Sequence, residues 1–232
     1  MFVICIFIIL CSALLITFII QAITNIYNIN DINITYIPSK ILIFFTIISF
    51  ILLAYFPDGI LSITDEPKDF NIKNLIINGL YVSLLILIAN IDANSKTIPN
   101  KVVIIGTIFS VILFSFNSDS GQIYSKSLIL ESLTGLITGF SILLFIYLLP
   151  FTRIGAGDVK LSALIGAISG FPKILLALSS GIIIAGIISI ILVLSKKKSI
   201  NEDIAFGPYI CAGTIFIILL GDNISNIIPK FI

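Results

Sequence analysis

Two aspartates, Asp92 and Asp158, each stand where an apolar run meets a polar turn. Asp92 lies in Asn90-Ile91-Asp92-Ala93-Asn94-Ser95-Lys96-Thr97-Ile98-Pro99-Asn100, and Asp158 closes Arg153-Ile154-Gly155-Ala156-Gly157-Asp158 ahead of Val159-Lys160-Leu161. Two carboxylates held within hydrogen-bond reach cannot both ionise, so they share a proton and titrate as a pair. The ionised member can activate a water, and the protonated member can hydrogen-bond a carbonyl and assist a leaving amine, which is what peptide hydrolysis requires. The chain has no histidine, which removes Ser-His and Cys-His pairs and the HExxH zinc site together. A hydrolase built from these residues has to work with carboxylates.

Taken singly, each aspartate has an ordinary explanation. Gly-Asp before an apolar run is how a capped helix begins, with Asp158 as N-cap, and Asp92 by itself suits a solvated turn beside lipid headgroups. The pair changes the balance. Two apolar spans separate the two turns, so both carboxylates are expected on one side of the bundle, and ionisable residues at membrane depth are costly enough to mark a site or pathway. Gly155 and Gly157 allow a close backbone approach just before Asp158, and Pro99 suits the first turn of a following helix. Glu131 falls on the opposite side and reads as structural or exposed. Cys5, Cys11 and Cys211 sit in apolar segments without paired spacing, which offers neither a metal site nor a disulfide framework.

The elements that must position the two acids are membrane helices. Hydrophobic residues make up 58% of the chain and charged residues 11%, against about 25% charged in soluble domains. Apolar runs at 2–23, 41–56, 75–91, 102–116, 128–149, 159–170, 174–194 and 204–220 recur near the length of about 20 residues needed to cross a bilayer. The expected fold class is all-α, a polytopic membrane helix bundle of about eight transmembrane helices. The run 159–170 is short, and Gly166, Gly170 and Pro172 near its end suit a short or broken helix inside the bundle. Phe2 to Ile23 lacks a basic flank and a small-residue cleavage site, so it reads as a permanent span. No soluble domain or repeat is visible: residues 1–40 read as a first span with a short loop, and 41–232 as the rest of a single membrane domain. The formal charge of +1 leaves no basic surface for nucleic acid. Counting Lys and Arg in alternate loops gives eight on the side of Lys96, Arg153 and Lys160 and five on the other, which places the aspartates toward the cytoplasm and both termini outside.

With these residues in view, the chain resembles the type IV prepilin peptidases, relatives of the archaeal preflagellin peptidases among the GxGD aspartyl intramembrane proteases. Asp92 with Thr97-Ile98-Pro99-Asn100 resembles the family's first aspartate block, and Gly155-Ala156-Gly157-Asp158-Val159-Lys160-Leu161 resembles its second. Ala205-Phe206-Gly207-Pro208-Tyr209, followed by Gly221-Asp222, resembles the closing segment, so the likeness runs from about residue 41 to 222. The resemblance implies Asp92 and Asp158 as the catalytic pair, with Gly155, Gly157, Lys160, Phe206, Gly207 and Pro208 lining the substrate site, and no metal or cofactor. It implies cleavage of the short basic leader of prepilin or pseudopilin precursors, after a glycine, at the cytoplasmic face of the plasma membrane. Family members that also methylate the trimmed pilin carry a larger loop after the first span with paired CxxC motifs. Here Thr24 to Lys40 has no cysteine, so proteolysis without N-methyl transfer and without an S-adenosylmethionine site is expected. Ala205 replaces a proline frequent in relatives. Two rivals stand beside this reading. One is an ion- or proton-coupled transporter, which would place carboxylates near the bilayer midplane. The other is an inactive homologue serving pilus assembly.

Overall fold

The computed structural model describes residues 48, 49, 51, 72–115, 126–150, 154–196 and 205–220. Among these residues the chain is all helical, with six helices: α1 (Ile72–Ser95), α2 (Asn100–Ser115), α3 (Lys126–Tyr147), α4 (Ala156–Ser169), α5 (Lys173–Leu194) and α6 (Gly207–Leu220). A hydrocarbon environment offers the backbone no partners, so a long apolar run closes its own hydrogen bonds as a helix. Three helices, Ile76–Ser95, Ser127–Tyr147 and Lys173–Leu194, are long and apolar enough to cross a membrane. With α2 at 16 residues and α4 and α6 at 14 each, the other three fall short of a full crossing, and eight complete spans are not reached among the described residues. The expected first span, 2–23, and the loop Thr24 to Lys40 lie outside those residues, as does nearly all of 41–56.

The chain divides into two compact units. One comprises residues 1–96 and 218–232, and the other residues 97–217. In the first, α1 buries Tyr81, Val82, Leu85, Ile88 and Ile91. It ends at Lys96, whose φ of 51° is the left-handed conformation that stops a helix and whose N–H donates to the Asp92 carbonyl at 2.8 Å.

In the second unit α4 is the enclosed element. It packs against α2, α3 and α5, and from Asp158 to Ser169 only Lys160 and Ala163 escape burial. Small residues let α3 and α4 approach to backbone contact. A Cβ on Gly166 would collide with the Gly135 carbonyl oxygen, one on Gly135 with that of Gly166, and one on Gly139 with that of Ser162. Two hydroxyls tie the same seam, Ser132 donating to the Ala167 carbonyl at 2.8 Å and Ser162 to that of Gly139 at 2.9 Å. Close backbone approach with side-chain hydrogen bonds is how helices associate where lipid supplies no hydrophobic drive. A second close crossing joins α5 to α6, where a Cβ on Gly181 would stand 2.7 Å from the Ile210 Cα. Between α4 and α5 the chain turns at Gly170, with φ of 68°, and the Phe171 N–H reaches the Glu131 carbonyl at 3.1 Å.

The outward faces are apolar. Ile105, Ile108 and Ile112 on α2, Ile137 and Phe145 on α3, and Ile183, Ile187 and Ile190 on α5 are all exposed. Such surfaces in a chain with three membrane-length helices belong to an integral membrane protein.

Candidate active site

Asp92 lies inside the last turn of α1, because the helix continues to Ser95 and does not end before the acid. Its side chain is buried, 4% exposed. The same turn is rich in polar groups. Asn90 is buried beside it, Asn94 Nδ2 donates to the Asn90 carbonyl at 2.8 Å and to Asn90 Oδ1 at 3.1 Å, and Ser95 Oγ donates to the Ile91 carbonyl at 2.7 Å. Both side chains thus turn back onto carbonyls four residues earlier in the same helix.

Asp158 corrects the expectation that it caps α4. Gly155 is the N-cap, with extended backbone, and Asp158 is the third residue of the helix. The acid's side chain reaches back, Oδ2 accepting the Gly155 N–H at 3.1 Å, while its own N–H donates to the Gly155 carbonyl at 3.0 Å. This is the reaching-back half of a capping box, with glycine in place of the serine or threonine that would complete it. Asp158 is 8% exposed. It precedes the apolar run, and burial pushes its carboxyl above the usual carboxylate range, while the Gly155 N–H opposes that rise by bonding the ionised form.

The two glycines play different parts. At Gly155, φ is −79° and a Cβ would stand 3.5 Å from Asp158 Oδ2, an ordinary contact, so neither strain nor crowding demands glycine there. Gly157 lies under Ile98, where a Cβ would come within 3.3 Å of the Ile98 Cβ. One turn along α4, exposed Lys160 donates from Nζ to Asn100 Oδ1 at 2.9 Å. Pro99, expected in the first turn of α2, sits one residue ahead of it and accepts the Val102 and Val103 N–H groups at 3.1 and 3.2 Å.

Phe206, Gly207 and Pro208 form the entry to α6. The Phe206 carbonyl accepts the Tyr209 and Ile210 N–H groups at 3.2 and 3.3 Å, Gly207 is buried, and Phe206 and Pro208 are half-buried. Gly221 and Asp222 lie outside the described residues, as does Arg153. Among the described residues no three Cys, Asp or Glu side chains gather as a metal site would need. Glu131 is exposed on α3.

Comparison with known families gives one match. Residues 79–190 match the type IV leader peptidase family. Over that segment, which contains both Asp92 and Asp158, the chain is similar to the type IV leader peptidase family. No curated protein and no solved structure matches it. The matched segment runs from the first third of α1 to near the end of α5 and so takes in the whole of α4 with its seam against α3. The seam is a feature that the aspartate blocks do not announce. Its signal in the sequence is the four-residue spacing of small residues, Gly135 to Gly139 and Ser162 to Gly166, within apolar runs. Asn100 stands in the first aspartate block, but nothing in the sequence pairs it with Lys160, 60 residues away.

Proposed function

We propose that the chain is an aspartic endopeptidase that removes the short basic leader of prepilin or pseudopilin precursors at the cytoplasmic face of the membrane. The observation that carries this reading is the leader peptidase match across a segment holding two buried acids, one in the last turn of α1 and one in the first turn of α4. Helix ends suit a substrate whose leader is basic and whose next segment is an apolar helix, because the bond to be cut lies where those two surroundings meet. The same locations speak against a transporter with carboxylates at mid-membrane.

In this reading Asp92 and Asp158 form a pair that shares one proton, the protonated member hydrogen-bonding the scissile carbonyl and the ionised member activating water. Burial of Asp158 favours its protonated form. The Gly155 N–H fixes one carboxyl oxygen of Asp158 and leaves the other for substrate. Gly157, Lys160 and the Phe206-Gly207-Pro208 turn line the approach. No methyl transfer is assigned, because the loop Thr24 to Lys40 carries no cysteine.

The test is cleavage of a coexpressed prepilin by Asp92→Asn and Asp158→Asn variants. Each is expected to lose activity by about 1,000-fold or more, as when one member of a catalytic unit is removed, while membrane insertion is retained. Cleavage at the wild-type rate by either inserted variant would exclude the pair.

A further inference from the structure

Gly157 and Lys160 are three residues apart and so share one face of the first turns of α4. That face is held by the residues entering α2. Ile98 lies on Gly157, and Asn100 accepts the Lys160 ammonium at 2.9 Å. Pro99, between them, is tied to α2 through its carbonyl. Three consecutive residues thus make two contacts on the same turns that carry Asp158.

These contacts control something the Gly155 bond cannot. The bond from the Gly155 N–H to Asp158 Oδ2 orients the carboxyl within its own turn, but it moves with that turn. Rotating a helix by about 10° carries an atom about 6 Å from its axis through about 1 Å, and a misplacement of about 1 Å can cost about 100-fold in rate. Contacts from other helices stop such a rotation: the α3 seam holds α4 from Ser162 onward, and Ile98 and Asn100 add a hold from the α2 side on the turn ahead of it, the one that carries Asp158.

We infer that Asn100 is a positioning residue for Asp158: it acts through Lys160, with Ile98 against Gly157, to fix the rotation of the first turns of α4. This rests on the reading of Asp158 as a catalytic acid.

The test is steady-state cleavage by the full chain in lipid nanodiscs of a precursor made of a basic leader, a glycine and an apolar helix, with rates taken per folded molecule. Asn100→Ala is expected to lower kcat by about threefold to thirtyfold with KM within about twofold, and Lys160→Met, whose side chain also lines the approach, to lower kcat by a similar factor whatever its KM. Asn100→Asp, which keeps an oxygen facing the ammonium, is expected to retain at least about half of kcat, and the Asn100→Ala/Lys160→Met double variant to be no slower than the slower single one. Lys101→Ala, which removes a neighbouring exposed cation, is expected to match wild type. The inference is overturned by wild-type kcat in Asn100→Ala, by an Asn100→Asp as impaired as the alanine variant, by multiplying losses in the double variant, or by an equal loss in Lys101→Ala. If Asn100→Ala does not insert, Lys160→Met takes its place, and wild-type kcat there overturns the inference in the same way. Cleavage retained by Asp158→Asn defeats the peptidase reading itself, whatever the Asn100 variants do.

Discussion

A buried carboxyl that stays close to its own backbone carries a cost, and Asp158 shows which way it runs. Burial raises its pKa above the unfolded value, so the folded chain binds that proton more tightly than the unfolded chain does. The contribution to stability is therefore fully present below the unfolded value and is lost as pH rises through the folded one. Asn keeps an oxygen for the Gly155 N–H but has no charge to bury. Asp158→Asn is accordingly expected to unfold no lower than wild type at neutral pH, and its advantage is expected to shrink as pH falls through the raised folded value and to be gone below the unfolded one. Thermal unfolding in detergent at several pH values measures this, and a lower midpoint for the variant at neutral pH would contradict it. Asp92 is buried as well, in a polar last turn shared with Asn90, Asn94 and Ser95.

At the scale of elements, the seam between α3 and α4 sets how deeply α4 is enclosed. Backbone meets backbone at Gly135, Gly139, Ser162 and Gly166, so an added side chain has no flexible neighbour to push aside. Gly166→Leu is expected to cost about 1–3 kcal/mol or more through overpacking, and to lower activity with stability because α4 carries Asp158. Gly186, exposed on α5, provides the contrast. Nothing lies within 4 Å of its missing Cβ, and Gly186→Ala is expected to be neutral or to stabilise by about 0.5–1 kcal/mol through the helix preference of alanine. Thermal midpoints of the two variants decide the matter, and equal behaviour would show that the seam is not tight. The two 14-residue helices, α4 and α6, meet longer neighbours through glycines, Gly166 in one case and Gly213 in the other.

For the whole molecule, the exposed apolar faces of α2, α3 and α5 require lipid. Cysteines introduced at Lys96 and Ala156, both exposed, in a background with the three native cysteines replaced, test the proposed orientation. Both are expected to react with a membrane-impermeant maleimide from the cytoplasmic side alone. Labelling of the two from opposite sides would leave the acids unable to share a substrate.

Much of this architecture was legible in the chain because hydropathy over about 20 residues is a local property that lipid enforces residue by residue. The run 75–91 became α1, 128–149 became α3 and 174–194 became α5, each within a few residues, and the aspartate blocks carried the likeness to leader peptidases that the family match bears out. Gly170 and Pro172 marked the end of α4 because a left-handed φ and a missing N–H stop a helix wherever they occur. What depended on partners remote in sequence was decided only in three dimensions. Asp158 moved from cap to third helical residue, since its carboxyl found the Gly155 N–H. Gly157 lies under Ile98, and Asn100 found its partner in Lys160, 60 residues on. Apolar runs determine which segments become helices, but the rotation and depth of each helix are set by the surfaces that meet across them, and no single segment contains both.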